Sequence, residues 1–210
     1  KLFYYTTCGW MMWNWLITGL ASGVSLVLYD GSPFYPEKEA LFQIAEEEEI
    51  TCFGTSAKFI DALRKDKVNI LEKYNLNKLQ SILSRGWPLI SESFEYVYEL
   101  IKKDIHLAAI SGGTDIVSCF VGGNPMLPVY SGEIQSKCLG VDVDVFDEKG
   151  QGSLQKGELV CKSPLPSMPI GFWDDLNKEK YIKSYFSKFK NVWTQGDYAK
   201  ISQNNGIVIY

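Results

Sequence analysis

The chain has 210 residues, of which 46% are hydrophobic and 22% charged, and carries a formal net charge of −4. That length can bury a sizeable core, and the composition is that of a globular protein rather than a disordered or collagenous one. Lys and Arg are scattered and not gathered into a basic stripe, which leaves no footing for nucleic acid.

Residues 8 to 29 are rich in apolar side chains, but Asn14, Thr18, Gly19, Ser22, Gly23 and Ser25 interrupt them, a density that a membrane-spanning helix has reason to avoid. The pattern predicts a strand through Tyr4 to Thr6, a turn at Cys8-Gly9, a helix from about Met11 to Ala21 and a strand from Ser25 to Tyr29. That last run is apolar on both faces, as a parallel strand covered by helices is. A helix follows from about Pro36, with Leu41, Ile44 and Ala45 on one face and Glu46 to Glu49 as its solvated end. Thr51 to Phe53 reads as a short strand, and Thr55 or Ser56 caps a helix carrying Phe59, Ile60 and Leu63 on one side. Ser81 to Leu83 resumes a strand and Gly86-Trp87-Pro88 breaks it. Phe94, Val97, Tyr98 and Ile101 then mark a helix face. His106 to Ile110 is a strand running into Ser111-Gly112-Gly113-Thr114-Asp115.

Strand and helix thus alternate to residue 115, which argues for an α/β fold with a mainly parallel sheet whose ligands bind beyond the carboxyl ends of the strands. Gly86 to Pro88 and Ser111 to Asp115 both fall at such ends. In the second loop adjacent glycines allow close backbone approach, and a hydroxyl beside a carboxylate suits a phosphate and its metal. An ordinary turn would use the same residues. After Pro128 the period changes: Val141 to Phe146 alternates apolar and polar, Asp147 to Gly152 is a turn, and Gly157 to Cys161 is another strand. The alternating aspartates read as a half-exposed strand face rather than calcium ligands. Residues 174 to 190 predict a helix with a loop, and Trp193 to Asp197 a final tight turn. The expected organisation is an α/β part over residues 1–127 and a smaller antiparallel, barrel-like lobe over 128–210. Without an initial methionine, and with Tyr210 inside an apolar run, the chain reads as a piece of a longer protein.

The five cysteines, Cys8, Cys52, Cys119, Cys138 and Cys161, contain no C-x-x-C pair, which argues against a zinc site and a disulfide framework. They fit a reducing, cytoplasmic compartment. His106, the single histidine, has no Gly-x-Ser-x-Gly elbow to serve and reads as structural.

Several stretches, taken in order, carry a resemblance: residues 6–15 (TTCGWMMWNW), residues 28–33 (LYDGSP), Gly86-Trp87-Pro88-Leu89, Ser111 to Asp115, Gly132 to Gln135, residues 157–164 (GELVCKSP), Phe186 to Phe189, and Trp193-x-x-Gly196-Asp197-Tyr198. As an ordered set they resemble the adenylate-forming acyl-CoA synthetase superfamily. The resemblance implies an acid–CoA ligase using ATP, Mg²⁺ and coenzyme A. It is strongest towards members that take acetoacetate, with acetate or propionate as the alternative acid and a non-catalytic nucleotide-binding or interaction module as the alternative class. It implies that Thr114 and Asp115 are catalytic, Thr114 bonding the α-phosphate and Asp115 holding Mg²⁺. Gly86, Trp87, Pro88, Ser111, Gly112 and Gly113 would enclose the adenine, and Asp197 would accept the ribose hydroxyls. Trp10, Met11, Met12, Arg85 and Gly112 would line the acyl pocket. Gly112 stands where acetate-activating relatives carry tryptophan, so it either opens room for a longer acid or serves only the backbone conformation. Arg85 and Trp87 depart from the residues expected at their positions. The lysine-bearing phosphate loop and a C-terminal domain with its catalytic lysine are expected outside these residues, so the isolated segment is expected to be inactive.

Overall fold

Five parallel strands carry the first unit, Lys1–Ala109, of a computed structural model that describes residues 1–210. They are β1 (Leu2–Tyr4), β2 (Leu26–Val27), β3 (Cys52–Ser56), β4 (Ser81–Arg85) and β5 (His106–Ala109), in the sheet order β2-β1-β3-β4-β5. The crossovers run through α1 (Met11–Thr18), α2 (Ala40–Glu47), α3 (Ala57–Lys65) with α4 (Ile70–Lys73), and α5 (Ser91–Tyr96). The core lies where β1 and β3 pair. Phe53 stands 5.1 Å from Phe3 and stacks on Phe42 of α2 at 4.9 Å between ring centroids. All three rings are buried, and each such burial contributes about 1.5–3 kcal/mol. Ser56 caps α3 as expected, its hydroxyl accepting the Phe59 N–H at 3.2 Å, and Phe59, Ile60 and Leu63 are buried on one side.

The first unit departs from the sequence reading in several places: β1 spans Leu2–Tyr4 where the reading puts Tyr4 to Thr6, α2 starts at Ala40 and not near Pro36, and α4 has no counterpart in the reading. The run from Ser25 to Tyr29 shortens to the two residues of β2 at the sheet edge, and Leu28 is 61% exposed, so helices do not cover it on both faces. The predicted helix to Ala21 ends at Thr18 and tightens into a 3₁₀ turn over Gly19–Ser22, closed by Gly23 at φ 71°. After Tyr96 the helix widens into a π turn over Val97–Ile101. The wider turn changes the residue spacing, so Tyr96 joins Phe94, Val97 and Ile101 inside and Tyr98 is only half-buried.

The second unit, Ile110–Tyr210, is built on antiparallel strands. β6 (Ser111–Gly113), β7 (Ser118–Gly122) and β8 (Ser136–Lys137) form one sheet. β9 (Val143–Phe146), β10 (Gly157–Cys161), β11 (Trp193–Ile201) and β12 (Ile207–Ile209) form another in the order β12-β11-β10-β9, with α6 (Glu179–Tyr185) preceding β11. Ser111 to Gly113 is therefore strand and not loop. Because β6 pairs with β7, the compact units divide after Ala109, ahead of the expected boundary at residue 127. Trp193 to Asp197 likewise opens a nine-residue strand instead of forming a tight turn. In β9 Val143 and Val145 are buried, while Asp142 and Asp144 meet Lys162 at 3.4 and 3.1 Å, the solvated face that the alternation predicts. No helix is long and apolar enough to cross a membrane.

Candidate functional site

In the first unit, the carboxyl end of β4 meets the first turn of α1. Arg85, the last residue of β4, is only 8% exposed, and its Nη1 donates to Met11 Sδ at 3.3 Å and Met12 Sδ at 3.1 Å. Thioether sulfurs are weak acceptors, so a buried guanidinium faces a soft, polarizable wall. Trp10, immediately ahead of α1, stands edge-on to Tyr4 at 6.1 Å. Tyr4 is fixed in turn: its hydroxyl donates to the Thr55 carbonyl at 3.1 Å, and its ring lies across Gly54, where a Cβ would come within 2.0 Å of it. Gly86 adopts φ +91°, a conformation that favours glycine, and a Cβ there would lie 3.7 Å from the Trp10 ring. Trp10, Met11, Met12, Arg85 and Gly86 are thus drawn together. Trp87 turns outward at 66% exposure, with Lys58 Nζ 4.7 Å from its ring centroid, and Pro88 is exposed.

In the second unit the site is set by a break in strand register. Glu158 faces Tyr198 while Val160 faces Thr194, which leaves Gln195, Gly196 and Asp197 as the long side of a bulge. Bulges re-aim side chains, and here Asp197 Oδ2 accepts the Ser111 hydroxyl at 3.1 Å. Gly196 supplies the φ of +88° that the bend requires. Glu158, only 5% exposed, holds the bend from beneath. One oxygen accepts the Gly196 N–H at 2.9 Å, and the other accepts from Lys188 Nζ, whose pKa that bond raises.

Thr114 and Asp115 occupy the turn between β6 and β7, closed by the Val117 N–H donating to the Thr114 carbonyl at 3.1 Å. Val117 stands at φ +46°, a left-handed conformation that costs a β-branched residue of order 1–3 kcal/mol. Thr114 is exposed and Asp115 half-buried. The Tyr185 hydroxyl donates to Asp115 Oδ2, and burial together with that carboxylate raises the phenol's pKa. Gly113 is buried, and a Cβ on it would lie 3.0 Å from Gln195 Oε1, which accepts the Trp193 indole N–H at 3.1 Å. A Cβ on Gly112 would stand 2.2 Å from the Ser118 carbonyl oxygen, so the close approach of β6 to β7 itself demands glycine.

Glu158, Tyr185 and Gln195 escape the sequence reading. Glu158 lies in a matched stretch, residues 157–164, that reads as strand and gives its carboxylate no role. Tyr185 belongs to a charged and aromatic helix with no local mark of function. Gln195 sits inside the Trp-x-x-Gly-Asp-Tyr motif but at a position the motif leaves open.

The AMP-binding enzyme family matches residues 2–173. Acetoacetyl-coenzyme A synthetase of Rhizobium meliloti (strain 1021) is 54% identical over 100% of this chain and 32% of its own length. Acetoacetyl-CoA synthetase of Mus musculus is 50% identical over 99% of this chain and 31% of its own. A solved structure, acetoacetyl-CoA synthetase from Streptomyces lividans, superposes with a TM-score of 0.93 at 41% identity, covering 99% of this chain and 33% of that one. The chain therefore spans about a third of the length of the relatives it matches.

Proposed function

Because the chain belongs to the AMP-binding enzyme family, we propose that it is part of an ATP-dependent ligase that joins acetoacetate to coenzyme A. The observation that carries this reading is the bond between Ser111 and Asp197, two motif residues 86 positions apart that meet at one carboxylate. In the first half-reaction the acid's carboxylate attacks the α-phosphorus of ATP in line and pyrophosphate leaves. In the second, the thiol of coenzyme A attacks the acyl-adenylate and AMP leaves. The protein's part in both is positioning and charge stabilisation.

Asp197 would accept the ribose hydroxyls, which a carboxylate does through charge-assisted bonds. The exposed Thr114 hydroxyl would donate to the α-phosphate. Asp115 would carry Mg²⁺. Such an ion is commonly held by one or two carboxylates together with substrate phosphates, and Asp115, half-buried in the turn between β6 and β7, offers one. When bound, the ion offsets phosphate charge. Arg85, among Met11, Met12 and Trp10, would donate to the 3-oxo oxygen of the acid while the thioethers pack its carbon chain. The five free cysteines suit a reducing cytosol.

The test is ATP–pyrophosphate exchange by the full-length protein against acetoacetate, acetate and propionate. Strong exchange with acetoacetate, abolished by Asp115→Ala, is the expected result. Exchange with acetate and none with acetoacetate would overturn the substrate. Exchange with no acid would leave a non-catalytic nucleotide-binding module.

A further inference from the structure

We propose that Tyr185 is a positioning residue for Asp115: its phenol fixes the carboxylate so that the other oxygen, Oδ1, faces the divalent cation of a bound nucleotide. This inference rests on the reading of Asp115 as the metal-bearing carboxylate.

The geometry begins with the bond itself. The Tyr185 O–H donates to Asp115 Oδ2 across 70 residues of sequence, so α6 reaches back to the turn between β6 and β7. The ring that presents the hydroxyl is not free to swing. It stacks on Trp193 with centroids 3.7 Å apart and planes 13° from parallel, and Phe172 and Tyr181 each meet its edge at 6.0 Å. Trp193 is fully buried and donates its indole N–H to Gln195 Oε1 at 3.1 Å, which ties the stack to the bulge that carries Asp197. The turn bearing Asp115 is constrained at its other end, where Val117 is held at φ +46°.

A phenylalanine would fill the same stack. What the tyrosine adds is one donor, and that donor is spent on the carboxylate. A neutral phenol can only donate here, so it orients an ionised carboxylate without cancelling its charge. A carboxylate with one oxygen already fixed has less rotational freedom left to lose when a cation binds. Hydrogen-bond partners that orient metal ligands in this way are typically worth 10- to 100-fold in metal affinity.

The experiment compares wild type, Tyr185→Phe, Asp115→Ala and the double variant in the full-length protein. ATP affinity is measured by equilibrium dialysis with Mn²⁺ and again in EDTA, with the Mn²⁺ paramagnetic resonance spectrum recorded for the bound complex. The gain in ATP affinity on adding Mn²⁺ is the quantity read. In Tyr185→Phe it should shrink by about 10- to 100-fold while metal-free affinity stays within about twofold of wild type. Asp115→Ala should lose the same gain, and adding Tyr185→Phe to it should cost nothing more. A full metal-dependent gain in Tyr185→Phe, with that gain lost in Asp115→Ala, overturns the positioning role alone. A full gain in both overturns the metal assignment of Asp115 and the positioning role with it. Equal loss of metal-dependent and metal-free binding in Tyr185→Phe marks a purely structural residue and overturns the proposal. So does tighter Mn²⁺·ATP binding, because the hydroxyl would then compete with the ion.

Discussion

Replacing Gly112 by alanine adds one methyl group where β6 meets β7, and its consequence separates the two readings of this glycine. The new Cβ would stand 2.2 Å from the Ser118 carbonyl oxygen and 2.5 Å from Cys119 Cα. Ordinary contacts between heavy atoms lie at about 3.5–4.0 Å, so relief requires a movement on the order of 1 Å. Neither neighbour is a flexible side-chain tip; both belong to the backbone of β7. The pairings Gly112↔Cys119 and Gly113↔Ser118 would have to open, and overpacking of this kind costs about 1–3 kcal/mol. Ser111 opens the same short strand and Asp115 lies two residues beyond its end, so nucleotide affinity should fall with stability. The assay is urea unfolding of Gly112→Ala in the full-length protein, together with pyrophosphate exchange on acetoacetate and acetate. The expected outcome is a stability loss in that range, with exchange on both acids reduced in the same proportion. Wild-type stability combined with a preference swung towards acetate would refute the argument, because the Cβ would then be reading acid length rather than strand spacing.

Two further predictions concern a buried carboxylate and a half-buried thiol. Glu158→Ala removes the acceptor of the Gly196 N–H, a bond to a charged group worth about 1.5–3 kcal/mol. The ion pair adds less than about 1 kcal/mol, since the Lys188 side chain is 42% exposed. Hydrogen exchange at the Gly196 amide should quicken and ribose-dependent affinity should fall, whereas wild-type exchange there would remove Glu158 as the anchor of the bulge. Burial pushes the Cys138 thiol up to about 12 from an ordinary 9.0. A raised thiol pKa means that the unfolded chain ionises first, so this residue's contribution to stability declines as pH rises above about 9. At pH 8, iodoacetamide should alkylate the exposed Cys8 and spare Cys138 in the native protein, and comparable labelling of the two would contradict the burial.

The parallel layer is legible because α2, α3 and the helix from Ser91 carry apolar stripes at helical spacing and β3, β4 and β5 are short runs between breakers, whereas the single turn of α4 buries only Ile70 and leaves no stripe to read. Ser56 is legible as a cap for a local reason: its hydroxyl serves an amide three residues on. The errors are of another kind. Gly196 and Asp197 are turn residues by local chemistry, and a bulge uses the same chemistry. What makes them a bulge is Glu158, 38 residues earlier, accepting the Gly196 amide. Ser111 to Gly113 reads as loop because two glycines weaken any strand signal, yet antiparallel pairing with β7 supplies the order that propensity lacks. The run from Ser25 to Tyr29 has the composition of a central strand, but composition does not set sheet order, and β2 lies at the edge.

The same division runs through the site. Residues proposed to touch ligand, such as Ser111, Asp115 and Asp197, are recognisable because their chemistry restricts residue type. The residues that aim them are not restricted in that way. Asp197 is directed by a bulge pinned through Glu158 and Lys188, and Asp115 by a phenol held against Trp193. Glu158, Lys188 and Trp193 fall inside matched stretches, but nothing in those stretches says which carboxylate they serve, and Tyr185 lies outside them. Both carboxylates nevertheless have to be held to within about 0.5 Å of a productive position for phosphate and ribose to be gripped together. Gln195 links the two supports, since it lies within the bulge and bonds the indole on which Tyr185 stacks. Loosening either support should therefore weaken binding while Ser111, Asp115 and Asp197 all remain in place, a loss that inspection of those three residues alone would miss.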